Sequence, residues 1–111
     1  MKLLLIMLLT ITGLMAQTQH SVGLTWTDTL NPSTGTTYSV YRATGLCSGT
    51  PTFNKIATAL VAKTYQDTTV IPGNYCYEVT ASVNGMESAP SNTALAPVPS
   101  FPPTGLSLTV Q

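Results

Sequence analysis

Charged side chains are scarce in this sequence. Among its 111 residues there are four Lys or Arg and four Asp or Glu, and the formal net charge is zero. A protein that binds a nucleic-acid backbone needs clustered cations, and no basic patch or acidic tail is present here. The sequence therefore predicts no nucleic-acid partner. It predicts a surface made polar by Thr, Ser, Asn and Gln, a composition common in secreted β-proteins.

Histidine and cysteine are nearly absent as well. A Ser-His-Asp or Cys-His catalytic arrangement would have to use His20, the only histidine. His20 lies close to the predicted mature N-terminus, where we expect a solvated side chain. Two cysteines cannot complete a four-coordinate zinc site, and phosphate-binding and dinucleotide-binding glycine motifs are missing. We predict no catalytic residue, no cofactor and no metal, hence a protein that is not an enzyme.

Long apolar runs are confined to the N-terminus. Residues 1–16 have the pattern of a secretory signal peptide, with Lys2, an apolar run over Leu3–Leu9 and a small residue, Ala16, at the predicted cleavage site. A membrane anchor is the less favoured alternative, because the run is too short to cross about 30 Å of hydrocarbon. We predict a secreted protein, extracellular or at the cell surface and not membrane-spanning after the leader is removed.

The two cysteines are expected to form a bridge in an exported protein. Cys47 and Cys76 would pair in an oxidising compartment. Closing a loop of about 30 residues would stabilise the fold by roughly 3–4 kcal/mol on the chain-entropy model. Two unpaired thiols remain the alternative.

The remainder of the chain has the pattern of an all-β domain. No stretch shows a sustained 3.6-residue apolar period, and short alternating runs are separated by turn residues. Asn84-Gly85 is the strongest hairpin signal, because both residues tolerate positive φ. The proline-rich residues 97–103 are predicted to form a stiff linker.

The order and spacing of several short motifs resemble those of a fibronectin type III domain. The motifs are Leu24-Thr-Trp26, Tyr38-Ser-Val40-Tyr-Arg42, Tyr65-Gln-Asp-Thr-Thr-Val70, Pro72-Gly73, Tyr75-Cys-Tyr-Glu-Val-Thr-Ala81 and Asn84-Gly-Met-Glu-Ser-Ala-Pro-Ser-Asn92. The resemblance covers most of residues 21–95 and implies an immunoglobulin-like β-sandwich, with strands A-B-E packed against C′-C-F-G. It also implies that Trp26 is the core tryptophan of strand B and Tyr75 the tyrosine-corner residue of strand F.

Alternation along these strands separates a core face from an outer face. Cys76 alternates away from Tyr75 and Tyr77, so the bridge to Cys47 is expected on the outer face of its sheet. Tyr41 alternates away from the core, which makes it a candidate for stacking on a sugar ring. The predicted structural core consists of Trp26, Tyr38, Val40, Tyr75, Tyr77 and Val79.

The family's first strand is missing in front of Val22, and a segment with its pattern stands at the other end of the chain. In residues 104–111, Leu106, Leu108 and Val110 alternate with polar residues. We predict that this segment forms a strand along the second strand of the sandwich, preferably of its own copy and alternatively of a neighbour. The predicted organisation is a signal peptide over 1–16, the sandwich over 17–96, the linker over 97–103 and the C-terminal strand over 104–111.

The sequence favours a secreted, non-catalytic module for protein interaction or extracellular structure, whose protein or glycan partner is unknown. One alternative is a self-assembling subunit, a homo-oligomer formed by strand exchange. A second is a carbohydrate-binding accessory module, and a third is a piece of a longer multi-domain protein. The candidate interaction residues are Tyr41, Phe101, Leu106, Leu108 and Val110.

Overall fold

A computed structural model describes residues 3–10 and 19–110 of the chain, without the side chains of residues 7–10. Within this part, no helix is long and apolar enough to span a membrane. The described residues form strands β1 (Leu3–Thr10), β2 (Ser21–Asp28), β3 (Thr36–Thr44), β4 (Asn54–Leu60), β5 (Thr64–Asp67), β6 (Gly73–Val83), β7 (Met86–Glu87) and β8 (Ala94–Val98).

The strands pair in two antiparallel sheets. One sheet has the order β1-β2-β5, and the other has the order β4-β3-β6-β7, with β8 also paired to β6. These orders correspond to A-B-E and C′-C-F-G of the family that the motifs resemble. The predicted all-β, immunoglobulin-like sandwich is therefore confirmed.

The core lies between the sheets because each strand directs alternate side chains inward. On β2, Val22, Leu24 and Trp26 are buried, whereas Thr25 and Thr27 face solvent. Burying each large apolar side chain contributes about 1.5–3 kcal/mol. The inward residues of both sheets form one cluster, which contains all six predicted core residues: Trp26, Tyr38, Val40, Tyr75, Tyr77 and Val79.

The hairpin between β6 and β7 turns at the dipeptide that the sequence singled out. Asn84 and Gly85 have φ values of 52° and 78°, and Val83 pairs with Met86 across the turn. Consecutive positive φ angles match the right-handed twist of the flanking strands. The sequence signal and the structure agree at this position.

The first strand of the sandwich is not the one predicted. β1 lies beside β2, paired from Leu3 with Asp28 to Thr10 with Ser21. Residues 104–110 form no strand, and Leu106, Leu108 and Val110 are 90%, 87% and 95% exposed. The predicted return of this segment to its own second strand is therefore wrong for this structure.

The chain path gives the physical reason. Phe101 stacks on His20, at the end of β2 where an antiparallel first strand would finish. The five residue steps to Leu106 reach about 17 Å at most. From His20 to Trp26 alone is about 20 Å along a strand. Too few residues are left for the segment to reach the far end of β2 and then reverse direction.

The C-terminal limit of the sandwich also differs from the prediction. β8 continues to Val98, so it includes Pro97 of the predicted linker, which lies opposite Asn74. Within residues 3–10 and 19–110, no strand pairs with the other side of β8, so a proline there deprives no neighbouring strand of an N–H donor. The predicted cleavage site after Ala16 lies outside the described residues, and cleavage stays a prediction.

Candidate functional site

The first-strand site is the edge of β2 (Ser21–Asp28) that faces away from β5, together with the buried side chains of Val22, Leu24 and Trp26 on that strand. In the structure β1 occupies it. Leu5, opposite Trp26, is 5% exposed, and its N–H donates a hydrogen bond of 3.0 Å to Asn92 Oδ1. Leu4 and Ile6, on the other face of the strand, are each 52% exposed. β1 thus places Leu5 in the core and leaves the apolar side chains of Leu4 and Ile6 half-exposed to solvent.

The floor of the first-strand site is apolar and fully covered. Val22 and Leu24 have no exposed surface, and Trp26 packs edge-on against Tyr38 with ring centroids 5.5 Å apart. Among the described residues, the Trp26 indole N–H has no hydrogen-bond partner. Side chains with this little polarity require an apolar strand above them.

His20, at the start of β2, lies in a different environment from the one predicted. Its ring is 3% exposed and stacks on Phe101 with a centroid separation of 4.3 Å. Neither ring nitrogen has a hydrogen-bond partner within the described part of the chain. The expectation of a solvated histidine is wrong, because the chain beyond β8 returns to this end of β2. Phe101 is consequently half-buried against its own domain.

The C-terminal segment beyond Phe101 is the most exposed apolar part of the described chain. Its three large apolar residues, Leu106, Leu108 and Val110, alternate with exposed Ser107 and Thr109. The molecule measures 71 × 30 × 18 Å, and its radius of gyration is 17.4 Å. A compact chain of this length would have a radius of about 13 Å. The elongated shape agrees with a segment that stands clear of the sandwich.

Tyr41, the candidate for sugar stacking, already has partners on its own surface. Its hydroxyl donates to Glu87 Oε2, and the Lys55 ammonium lies over its ring, 5.6 Å from the centroid. The hydrogen bond to Glu87, with a smaller contribution from burial, raises the pKa of Tyr41. A sugar would have to displace Lys55 to stack on that face of the ring.

A buried carboxylate that sequence reasoning did not single out lies at the end of β5. Asp67 is 1% exposed and accepts hydrogen bonds from Tyr77 Oη at 2.6 Å and from Arg42 Nη1 at 2.9 Å. It also accepts from the N–H and the hydroxyl of Thr69. Burial alone would raise the pKa of Asp67, but these hydrogen bonds outweigh it and hold the pKa below its ordinary value.

Asp28, at the end of β2, is a second internal acceptor. It accepts from Tyr38 Oη at 3.0 Å and from Asn31 Nδ2 at 2.7 Å. Burial of Tyr38, aided by this hydrogen bond, raises its pKa to about 12. Both aspartates therefore fix loops and aromatic hydroxyls of the sandwich, and their geometry does not indicate acid–base chemistry.

The two cysteines form the predicted bridge. Cys47 and Cys76 are joined with their Cα atoms 5.2 Å apart, so the predicted pairing is confirmed. Cys76 lies outside the core cluster formed by its neighbours Tyr75 and Tyr77, yet it is fully buried. Within the described part of the chain, no group of three or more His, Cys, Asp or Glu could hold a metal ion.

The corner before β6 is closed by a tyrosine. The Tyr75 hydroxyl accepts a 3.1 Å hydrogen bond from the N–H of Ile71, four residues upstream. Arg42 lies over the same ring, 5.1 Å from its centroid. The role that the resemblance implied for Tyr75 agrees with this geometry.

Comparison with known proteins identifies the family. No protein-family model and no curated protein matches the chain. Solved structures do match. A Fn3-like protein from Clostridium thermocellum is 34% identical over 71% of this chain and 77% of its own, with a TM-score of 0.56. A human FNIII domain, a fourth domain solved in solution, is 21% identical over 89% of this chain and 79% of its own, also with a TM-score of 0.56, and shows the fold alone. The sheet order, the tyrosine corner and the first of these matches show that the chain belongs to the fibronectin type III family.

Proposed function

We propose that this protein is a secreted, non-catalytic module that binds another protein through its exposed C-terminal segment. The observation that carries the proposal is the near-complete exposure of Leu106, Leu108 and Val110 on a disulfide-bonded sandwich. Isolated exposed apolar residues are ordinary, but three at alternate positions of one segment form a strand-like stripe.

Export is supported by the disulfide and by the leader pattern. A bridge such as Cys47–Cys76 persists in oxidising compartments and is rare in the cytosol. Residues 1–16 supply a charged start and an apolar run of the length that a signal peptide needs. Family membership supports a non-catalytic role, since fibronectin type III domains are generally not enzymes.

Binding through an extended segment is supported by the composition of residues 104–110, the tail of the chain. Thr and Val favour strands, and the alternation gives one apolar and one polar face. A segment of this kind can pair with the edge of a sheet, where main-chain hydrogen bonds supply affinity and the alternate side chains supply specificity. Carbohydrate binding has less support, because Tyr41 already contacts Lys55 and Glu87.

Export can be tested by expressing the chain with its own N-terminus in a bacterial host and recovering each cell fraction. We expect the exported protein to begin near Gln17, and its two cysteines to resist alkylation until they are reduced. A full-length chain retained in the cytoplasm with two reactive thiols would contradict export. The matched control is Leu4→Asp with Ile6→Asp, which interrupts the apolar run but alters only half-exposed positions of β1.

Binding can be tested in the same exported fraction with a photo-crosslinking residue at Leu108. An interaction module should give a protein adduct from position 108 and none from Ser33, which is exposed in the loop after β2. Absence of any adduct from position 108 would contradict the proposed role of the tail. The mass of the adduct identifies whether the partner is a second copy of the chain or a different protein.

A further inference from the structure

We infer that the first-strand site is exchangeable, and that its occupant after export is the segment Leu106–Val110 of a second copy of this chain. The inference deepens the proposed function by naming the partner, and it rests on the proposed export. Three observations support it. The occupant β1 coincides with the predicted leader, the tail has an apolar alternation that matches β2, and the tail cannot reach the far end of β2 in its own copy.

The occupant of the site coincides with the predicted leader. β1 spans Leu3–Thr10, and the apolar run of the leader spans Leu3–Leu9. Cleavage after Ala16 would therefore remove β1 from the mature chain. The edge of β2 would lose its partner from Ser21 to Asp28, and the cover that Leu5 gives to the core would go with it. An unpaired sheet edge above apolar side chains is a template for another strand.

The tail fits the vacated position at least as well as β1 does. With Leu106 opposite Trp26, Leu108 falls opposite Leu24 and Val110 opposite Val22. Each large apolar residue of the tail then covers a buried residue of β2. The outward positions opposite Thr25 and Thr27 would hold Ser107 and Gly105, whereas β1 places Ile6 and Leu4 there, each 52% exposed. The tail thus removes the exposed apolar surface that β1 leaves on the outer face.

The tail is too short for antiparallel pairing with its own β2 while Phe101 remains stacked on His20. That contact holds the chain beside the Ser21 end of β2, and Leu106 would have to begin near the Asp28 end. A neighbouring copy imposes no such limit, because its tail can approach from the Asp28 end. The stacked ring pair therefore favours pairing between copies over closure within one.

Pairing between copies gives a head-to-tail assembly. Each copy offers one first-strand site and one tail, which are different surfaces, so the contact is heterologous. Such contacts form open chains or closed rings. We therefore expect a series of oligomers rather than a dimer alone.

The first experiment uses the full chain, with a protease recognition sequence placed within residues 11–18, between β1 and β2. Before cleavage the protein should be a monomer in size-exclusion chromatography with light scattering. After cleavage, the β1 peptide should be released and the mass should rise to several times that of the monomer. A cleaved protein that retains β1, or that releases it and stays a monomer, overturns the inference.

Matched variants distinguish strand pairing from nonspecific hydrophobic association. Leu106→Asp with Leu108→Asp should abolish the rise in mass after cleavage, because charged side chains cannot enter the apolar site. Ser107→Asn with Thr109→Asn changes the outward positions and should leave the rise intact. Neither pair should alter the uncleaved protein, in which these residues contact solvent. Equal assembly by both variants would contradict pairing along β2.

A second experiment tests the register with engineered cysteines, since both native cysteines are already bonded. Exported protein carrying Thr25→Cys is mixed with exported protein carrying Ser107→Cys. The inferred pairing predicts a disulfide between the two chains. No such bond, or a monomeric double variant with the bond inside one chain, overturns the inference. Export and binding at position 108 would still stand if the cross-linked partner there were a different protein.

Discussion

At the scale of single residues, the few charges of this protein stabilise its interior. Asp67 joins β5 to Arg42 of β3 and Tyr77 of β6, so one carboxylate connects the two sheets. The ion pair with Arg42 has side-chain exposures of 22% and 1%. A buried pair of this kind is costly to break, because the remaining charge loses its partner.

Replacing Asp67 should test this connection. We expect Asp67→Ala to lower the free energy of unfolding by about 3 kcal/mol at neutral pH. Because the folded-state pKa of Asp67 is lowered, its contribution is complete above the unfolded-state pKa and is lost as pH falls through the folded-state value. The difference between wild type and variant should therefore shrink in acid. Urea unfolding at several pH values measures it.

The control for that variant is Glu87→Ala. Glu87 pairs with Lys55 at 3.7 Å on the surface, where both side chains are substantially exposed. Exposed pairs contribute less than about 1 kcal/mol. Equal losses for the two variants would contradict the structural role assigned to Asp67.

Trp26 provides a second prediction at the residue scale. Trp26→Ala should lower the free energy of unfolding by roughly 3–5 kcal/mol, because it leaves a cavity beneath β1. Tyr41→Ala should cost much less, since Tyr41 lies on the outer surface and outside the core cluster. Chemical unfolding measures both variants. Comparable losses in the free energy of unfolding would mean that the assignment of Trp26 to the core and Tyr41 to the outer surface is wrong.

At the scale of elements, alternation and turn chemistry predicted most of the sandwich. The inward residues of β2 and β6 and the Asn84-Gly85 turn follow from local sequence, whereas the pairing of Cys47 with Cys76 was predicted from expected export and from the presence of two cysteines. The partner of β2 did not. An apolar leader and an apolar strand have the same composition, so Leu3–Thr10 gave no local sign that it pairs with β2. The contacts of His20 and Asp67 join distant segments, which periodicity cannot specify.

The disulfide should stabilise the fold by closing the loop between Cys47 and Cys76. Cys47 and Cys76 are 29 residues apart in sequence, for which the chain-entropy model gives about 3–4 kcal/mol. Replacing both with Ala should lower the free energy of unfolding by that order while leaving the fold intact. Circular dichroism and urea titration measure both quantities. An unchanged unfolding midpoint would show that the bridge does not restrict the unfolded chain.

The chain after β8 should divide at Phe101 into an anchored part and a free part. Phe101→Ala in the full chain should cost about 0.5–1.5 kcal/mol through loss of the stack on His20. Leu106→Ala should have no measurable effect on the uncleaved monomer, because Leu106 is 90% exposed. Thermal unfolding of the two variants tests the division. A destabilised Leu106→Ala monomer would mean that the tail contacts its own sandwich.

At the scale of the whole molecule, one fold has two candidate strands for a single position. β1 fills the first-strand site in the structure, and the tail carries a matching apolar stripe that contacts solvent. Secretion would remove the first candidate and leave the second. In the assembly that we propose, a neighbour then completes the fibronectin type III sandwich, and the same pairing links the copies.

Strand pairing between copies is best tested by the molar mass of the exported protein, measured by light scattering over a range of concentrations. The same sample should first be shown by mass spectrometry to begin near Gln17. Pairing between copies predicts multiples of the subunit mass, reduced to a single subunit by Leu106→Asp with Leu108→Asp. A correctly processed protein that has the mass of one subunit at every concentration would contradict it.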